Sequence, residues 1–296
     1  MNYKRIFRNQ QLRFMILRLL QFVPDRFMLS MQYYIKMGCW LDFNKPKRFT
    51  EKLQLYKMKY RDERLCRCVD KYEVRKYVES KGLSDILNIC YGVYDRAEDI
   101  ELNGLPNQFV AKTTNGGGGQ NVIIVRDKNH LDEKDFKQKL NVWLKGRLDA
   151  CGREWAYSGI EYPKIVIEEL LVDERNEDGS IEDYKFFCFN GKVCCIQEDT
   201  GRYGLHKRNL YTKKWELLDV ICTYPSVSVS PKPINFEEMI QIAEILGKDF
   251  PFVRVDLYNI HGKIYFGELT FYPGSGYEGY KPDSFDFELG KYFTEY

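Results

Sequence analysis

The feature that most narrows the fold is a tight turn. Asn190-Gly191 separates two runs rich in aromatic and β-branched residues, 184–189 and 192–197. Two adjacent residues that tolerate positive φ match the twist of flanking strands, so this dipeptide joins neighbours that run antiparallel. Residues 259–262 join 252–258 to 263–269 in the same way. Runs at 108–112, 121–125 and 165–171 are further strands bounded by turn residues. Helical spacing marks 27–36, 50–60, 70–82, 131–144 and 236–246. In the third of these Asp70 is the cap, Glu73 follows three residues on, and Gly82 is the stop. Helices first, then strands closed by hairpins, predict an α+β fold on antiparallel sheets rather than a doubly wound parallel one.

With 296 residues, 44% hydrophobic and 30% charged, the chain can bury a core and is not disordered. A net charge of +2 argues against a nucleic-acid partner. No uncharged apolar run reaches the roughly 18–20 residues of a membrane span, and the start lacks the small-residue cleavage site of a secretory leader. Nine cysteines, an odd number partly inside strand-like runs, with three histidines and no paired CxxC, predict reduced thiols in a cytoplasmic protein rather than disulfides or zinc. Charge is uneven. Residues 1–36 hold seven basic side chains against Asp25, a net of +6, which leaves −4 for the rest. Residues 11–23 place Leu12, Met15, Ile16, Leu19, Leu20 and Val23 on one helix face. Such a basic amphipathic helix either docks on the protein or lies peripherally on anionic membrane.

Three constellations point to chemistry. Residues 109–125 are strand, Gly116-Gly117-Gly118-Gly119, strand. No GK[ST] and no helix follow, so this is neither a P-loop nor a dinucleotide fingerprint. A glycine flap suits a cover over phosphates; it is also what a flexible hairpin tip looks like. Lys112, on the preceding strand, needs an anionic partner. On the 252–269 hairpin, Asp256 and Glu268 can share a face, where hard oxygen ligands suit magnesium carrying phosphates. Arg254 alternates onto the face of Asp256, and a salt-bridged hairpin explains the same three residues. Lastly, 165–174 runs from an apolar strand through Glu168-Glu169 to Leu170-Leu171 and Asp173-Glu174, as a strand leading into a linker, or merely one with a polar end.

Together these resemble the ATP-grasp superfamily, the fold of D-alanine–D-alanine ligase and biotin carboxylase. The blocks at 69–82, 105–112, 115–125, 165–171, 183–192 and 254–276 resemble its TupA-like branch, named for teichuronopeptide biosynthesis and found in capsule and surface-polysaccharide clusters; the likeness spans about 40–290. It implies two α+β subdomains gripping ATP between antiparallel sheets, after an N-terminal helical segment. The expected layout is a basic helical segment at 1–45, a helical region at 46–107 and the grasp domain at 108–296, split into a flap subdomain to 171 and a magnesium subdomain beyond. By the same resemblance Lys71 and Lys112 are the phosphate lysines and Gly116–Gly119 the flap. Glu168, Glu169 and Leu171 fall at the adenine linker, with Asp173 or Glu174 on the ribose and Lys207 near the phosphates. Arg254 stabilises an acyl phosphate, and Asp256 and Glu268 hold Mg2+. Thr270 stands where the family has an asparagine ligand. The implied reaction joins a carboxylate, most naturally a uronic acid of a glycan, to an amino-acid amine using ATP. A glycosyltransferase or a sugar kinase of the same pathway is the alternative.

Overall fold

The computed structural model describes residues 15–17, 19–117, 121–146, 152–176, 179–201 and 205–296. Both turns form as their sequences require. Asn190 and Gly191 take φ of 47° and 72°, and His261 and Gly262 take 53° and 87°. The helices are α1 (Asp25–Met37), α2 (Phe49–Lys59), α3 (Glu63–Val69), α4 (Glu73–Ser80), α5 (Glu133–Leu144), α6 (Trp155–Ser158), α7 (Phe236–Gly247) and α8 (Ser284–Tyr292). The strands are β1 (Cys90–Tyr94), β2 (Phe109–Thr113), β3 (Val122–Val125), β4 (Ile165–Glu168), β5 (Asp183–Phe189), β6 (Lys192–Thr200), β7 (Lys207–Thr212), β8 (Ile221–Cys222), β9 (Phe252–Ile260), β10 (Lys263–Thr270) and β11 (Tyr280–Lys281). They build a four-stranded sheet β1-β4-β2-β3, a five-stranded sheet β10-β9-β5-β6-β7 and the pair β11-β8. Every strand pairing is antiparallel. This is the α+β architecture the hairpins predicted.

The five-stranded sheet is covered on one face throughout and on the other at one end only. Even residues of β5 meet α7: Phe186 packs on Phe236, and the Cys188 thiol donates to the Ala243 carbonyl at 3.4 Å. On the opposite face, Phe187, Phe189 and Phe252 close around Phe49 of α2, with ring centroids 4.9–6.1 Å away. Burying each such ring is worth about 3–5 kcal/mol against alanine. Thr50 locks α2 to α8, its hydroxyl donating to Asp286 at 2.6 Å and its backbone N–H at 3.0 Å. Beyond this aromatic end the same face turns polar, and there lies the site.

In the four-stranded sheet Phe109, Ala111, Ile165 and Ile167 point to Phe136 and Leu140 of α5. Alternation therefore turns Val110 and Lys112 to the other side. The sheet begins earlier in the chain than residue 108, because β1 pairs with β4. Helices α3, α6 and α8 and strands β1, β7, β8 and β11 were not foreseen. Several are a single turn or a two-residue pair, too short for periodicity to register. The eight described cysteines are free thiols.

Candidate active site

The two larger sheets turn their polar faces toward one cavity of about 1000 Å³, lined by Val110, Lys112, Ile124 and Glu168 on one side and by Asp183, Lys185, Arg254, Asp256, Glu268 and Thr270 on the other. How Glu268 reaches it depends on one residue. From the His261-Gly262 turn the ladder runs Ile264 opposite Asn259 and Phe266 opposite Leu257. Continued regularly, it would set Glu268 opposite Val255, on the core face. The register shifts between Phe266 and Glu268, so Gly267 is extra and Glu268 lies opposite Asp256, with Thr270 opposite Arg254. A bulge of this kind re-aims every later side chain. Only glycine fits, because a Cβ on residue 267 would lie 2.9 Å from the Asp256 carbonyl oxygen.

Charges in this corner are interlocked. Arg254 donates Nε to Asp256 Oδ1 at 2.7 Å and Nη2 to Oδ2 at 2.6 Å, and a third bond reaches Thr270 Oγ1 at 3.1 Å. Thr270 in turn donates to Glu268 at 3.0 Å. Lys185 of β5, cross-strand from Asp256, donates to it at 2.8 Å and also bonds Asp183. Lys71, in the turn between α3 and α4, stands 3.5 Å from Glu268. Burial alone would raise the Glu268 carboxyl, but Lys71, Arg254 and Lys185 bring it down to about 2. For Asp256 burial prevails and the carboxyl is raised, against the pull of Arg254 and Lys185. Across the cavity Lys112 is ion-paired to Glu168, which Arg75 approaches at 3.7 Å. Ion pairs that must neutralise one another in a low-dielectric pocket are a ready set of partners for a charged ligand.

The sequence-derived residues divide cleanly. Lys71, Lys112, Gly117, Glu168, Glu169, Leu171, Arg254, Asp256, Glu268 and Thr270 line the cavity. Gly116 sits at the mouth of the flap, its N–H donating to the Thr113 carbonyl at 3.0 Å, while Gly118 and Gly119 lie outside the described residues. Asp173 and Glu174 are not among the lining residues. Asp173 is fully buried and clasped by Arg175, whose Nε donates to it at 2.9 Å, so it is spent on shaping its own turn. Lys207 is displaced for a parity reason. It pairs with Thr200, while Arg208 pairs with Asp199, and alternation turns Arg208 to the cavity and Lys207 away. Sequence reasoning missed Arg208 and Lys185. A lysine between aromatics in 183–189 was the available signal for the latter, because a buried lysine demands carboxylates.

The Asp256 and Glu268 oxygens are hard donors of the kind magnesium takes, and two carboxylates are what it usually accepts from protein when phosphates complete its shell. They share a face in cross-strand register, so the donor set fits that ion. Among the described residues no cluster of three or more histidine, cysteine or acidic side chains forms a dedicated metal cage.

A family model described as TupA-like ATPgrasp matches residues 51–294. No curated protein matches the sequence. Solved structures similar to this chain include D-alanine–D-alanine ligase from Bacillus anthracis, at 20% identity and TM-score 0.41, covering 69% of this chain and 57% of that one. The Helicobacter pylori D-alanine–D-alanine ligase is 16% identical at TM-score 0.42, covering 78% and 60%. L-amino acid ligase from Bacillus licheniformis is 17% identical at TM-score 0.38, covering 71% and 42%. The chain thus spans less than two thirds of the length of these proteins.

Proposed function

The chain belongs to the TupA-like ATP-grasp family, and we propose that it is an ATP-dependent carboxylate–amine ligase working through an acyl phosphate. The observation behind this reading is the meeting of Lys71, Lys112, Lys185, Arg254, Asp256 and Glu268 around a single cavity. ATP would lie with its base against the apolar strip of Val110, Ile124, Leu170 and Leu171, which line the cavity, and its phosphates toward the lysines. Asp256 and Glu268 would hold Mg2+, with the Thr270 hydroxyl beside them; the ion supplies charge neutralisation on the phosphates. A substrate carboxylate oxygen attacks the γ-phosphorus as the bond to the β-phosphate oxygen breaks, releasing ADP. An amine nitrogen then attacks the acyl carbon, phosphate departs with the C–O electron pair, and the amine gives up a proton. Arg254 faces the oxygens on which charge builds, where a preorganised cation contributes most.

The substrates we propose are a uronic acid carboxyl of a surface glycan and an amino-acid amine, joined at the cytoplasmic side of the membrane. An exposed apolar stripe supports membrane contact: Phe22, Phe27 and Trp40 are 83%, 60% and 63% exposed, and Met31, Tyr34 and Ile35 continue it along α1. Lying almost wholly within a segment, residues 1–36, of net charge +6, such a stripe suits the interface of an anionic bilayer. Among the described residues no helix is long and apolar enough to cross one.

The deciding experiment incubates the protein with Mg-ATP, uronic acids and amino acids, and reads ADP and product mass. Amide with ADP is the expected outcome. A phosphorylated sugar would establish a kinase instead, and turnover of a sugar nucleotide without ATP a glycosyltransferase. Arg254→Ala should lower kcat by about 10²-fold or more while nucleotide affinity stays within several-fold. Unchanged turnover in a folded variant refutes the mechanism.

A further inference from the structure

A cavity that makes an amide must also take a proton from the incoming amine, and the carboxylates around Arg254 are committed elsewhere. Asp256 is held by Arg254 and Lys185, Glu268 faces Lys71, and Glu168 is paired to Lys112. Glu154 differs. It lines the same cavity just before α6, beside the neutral Ser275 hydroxyl. Tyr157, one helical turn on, lines the same cavity and feels the charges of Glu154, Glu268 and Arg254.

The surroundings are shaped to leave this carboxylate open to the cavity. Ser275 comes five residues after Thr270 and takes φ of 56°, a left-handed conformation that serine rarely adopts. That turn directs the Ser275 carbonyl to Lys57 Nζ at 2.8 Å, where the Gly152 carbonyl also accepts at 3.2 Å. Lys57 is thereby engaged by those carbonyls and by the Ser275 hydroxyl at 3.4 Å, while its charge also acts on Glu154. A Cβ at Gly152 would come 2.8 Å from Glu154 Oε1, so this glycine preserves room beside the carboxylate. The charged and titratable groups acting on Glu154 are Lys57 from α2, Lys36 from α1, Tyr157 from α6, and Tyr272 and Tyr277 from the segment after β10. Burial raises the Glu154 carboxyl, and Lys57, Ser275 and Lys36 pull it partly back. A carboxylate raised in this way is a better proton acceptor than a free one.

We propose that Glu154, oriented by Ser275, is the subsite for the amine substrate: it holds the ammonium form and takes one proton from it, which frees the nitrogen lone pair to attack the acyl carbon, and the second N–H proton leaves with the departing phosphate. The proton then passes to solvent when the amide departs. This rests on the ligase reading above, and a two-part test separates the two.

Wild type, Glu154→Gln and Ser275→Gly, the last removing the hydroxyl at a φ that glycine accepts, are compared with Mg-ATP and a uronic-acid panel. Hydroxylamine, a small nucleophile reactive without deprotonation by the enzyme, reports acyl phosphate as hydroxamate; amino acids report amide. Glu154→Gln should lower amide formation by about 10²-fold, with partial recovery as pH rises, while hydroxamate changes by no more than a few-fold. Ser275→Gly should fall between. Amide and hydroxamate dropping together, or amide unaffected, overturns the proposal. If wild type makes neither product, the ligase reading fails, and glycinamide binding decides the subsite alone. Thermal stabilisation by millimolar glycinamide should vanish in Glu154→Gln while stabilisation by Mg-ATP persists. Equal stabilisation of both proteins by glycinamide overturns the subsite.

Discussion

Lys185→Met tests the electrostatic core of the site more sharply than any change to a ligand-facing group. Lys185 is 3% exposed, and its ammonium bridges Asp183 and Asp256, the latter at 2.8 Å. At an effective dielectric constant of 20, one such contact is worth about 6 kcal/mol of attraction before desolvation is charged against it. Methionine has nearly the same length, so packing is retained and the charge is lost. Asp256 keeps the Arg254 fork, whereas Asp183, 1% exposed, loses the lysine. Removing one partner of a buried pair costs about 3–5 kcal/mol, a large share of the about 5–15 kcal/mol that holds a domain together. Urea unfolding at pH 7 should therefore show that loss. Adding Asp183→Asn to Lys185→Met should restore at least half of the lost stability. A loss below about 1 kcal/mol at pH 7 would refute the reasoning.

Gly267→Ala should cost about 1–3 kcal/mol, because its Cβ meets backbone 2.9 Å away, and should weaken magnesium-dependent nucleotide stabilisation; thermal melts with and without Mg-ATP read both. Although burial would raise it, the Asp199 carboxyl is held down to about 2 by Arg208. A depressed folded pKa contributes stability that is present above 3.8 and lost as pH falls toward 2, so Asp199→Asn should flatten the melting temperature across that window. Burial pulls Lys57 from 10.5 down to about 7; the folded state holds fewer protons there, stability rises with pH between those values, and Lys57→Met should remove that slope. Co-sedimentation with anionic vesicles should fall steeply between low and physiological salt, and drop further in Phe22→Ser/Phe27→Ser; binding indifferent to both changes would remove the membrane proposal.

Much of the architecture was legible because it is local. The φ preferences of Asn190-Gly191 and His261-Gly262 dictate hairpins without help from distant residues, and two hairpins are enough to exclude a parallel sheet. The flap glycines, Lys112, Arg254 and Asp256 were visible for the same reason: residue type and strand parity are properties of short segments. Short pieces such as β8 and β11 were not, since Ile221–Cys222 and Tyr280–Lys281 are strands only because each supplies the other's ladder.

Side-chain direction beyond an irregularity needed the tertiary structure. Strand parity counted from the 259–262 turn sends Glu268 into the core, and only the cross-strand ladder reveals that Gly267 is looped out and returns Glu268 to the site. Arg208 rather than Lys207 reaches the cavity because β7 pairs with β6 in one register out of several the sequence allows. Lys185, Glu154 and Ser275 come from strands and turns far apart in the chain, and what joins them is burial, which no single segment encodes. The sequence determined which residues are chemically equipped for the work. The packing of two sheets across one cavity decided which of them meet, because a long-range contact is settled by the free energy of the whole core rather than by its own neighbours.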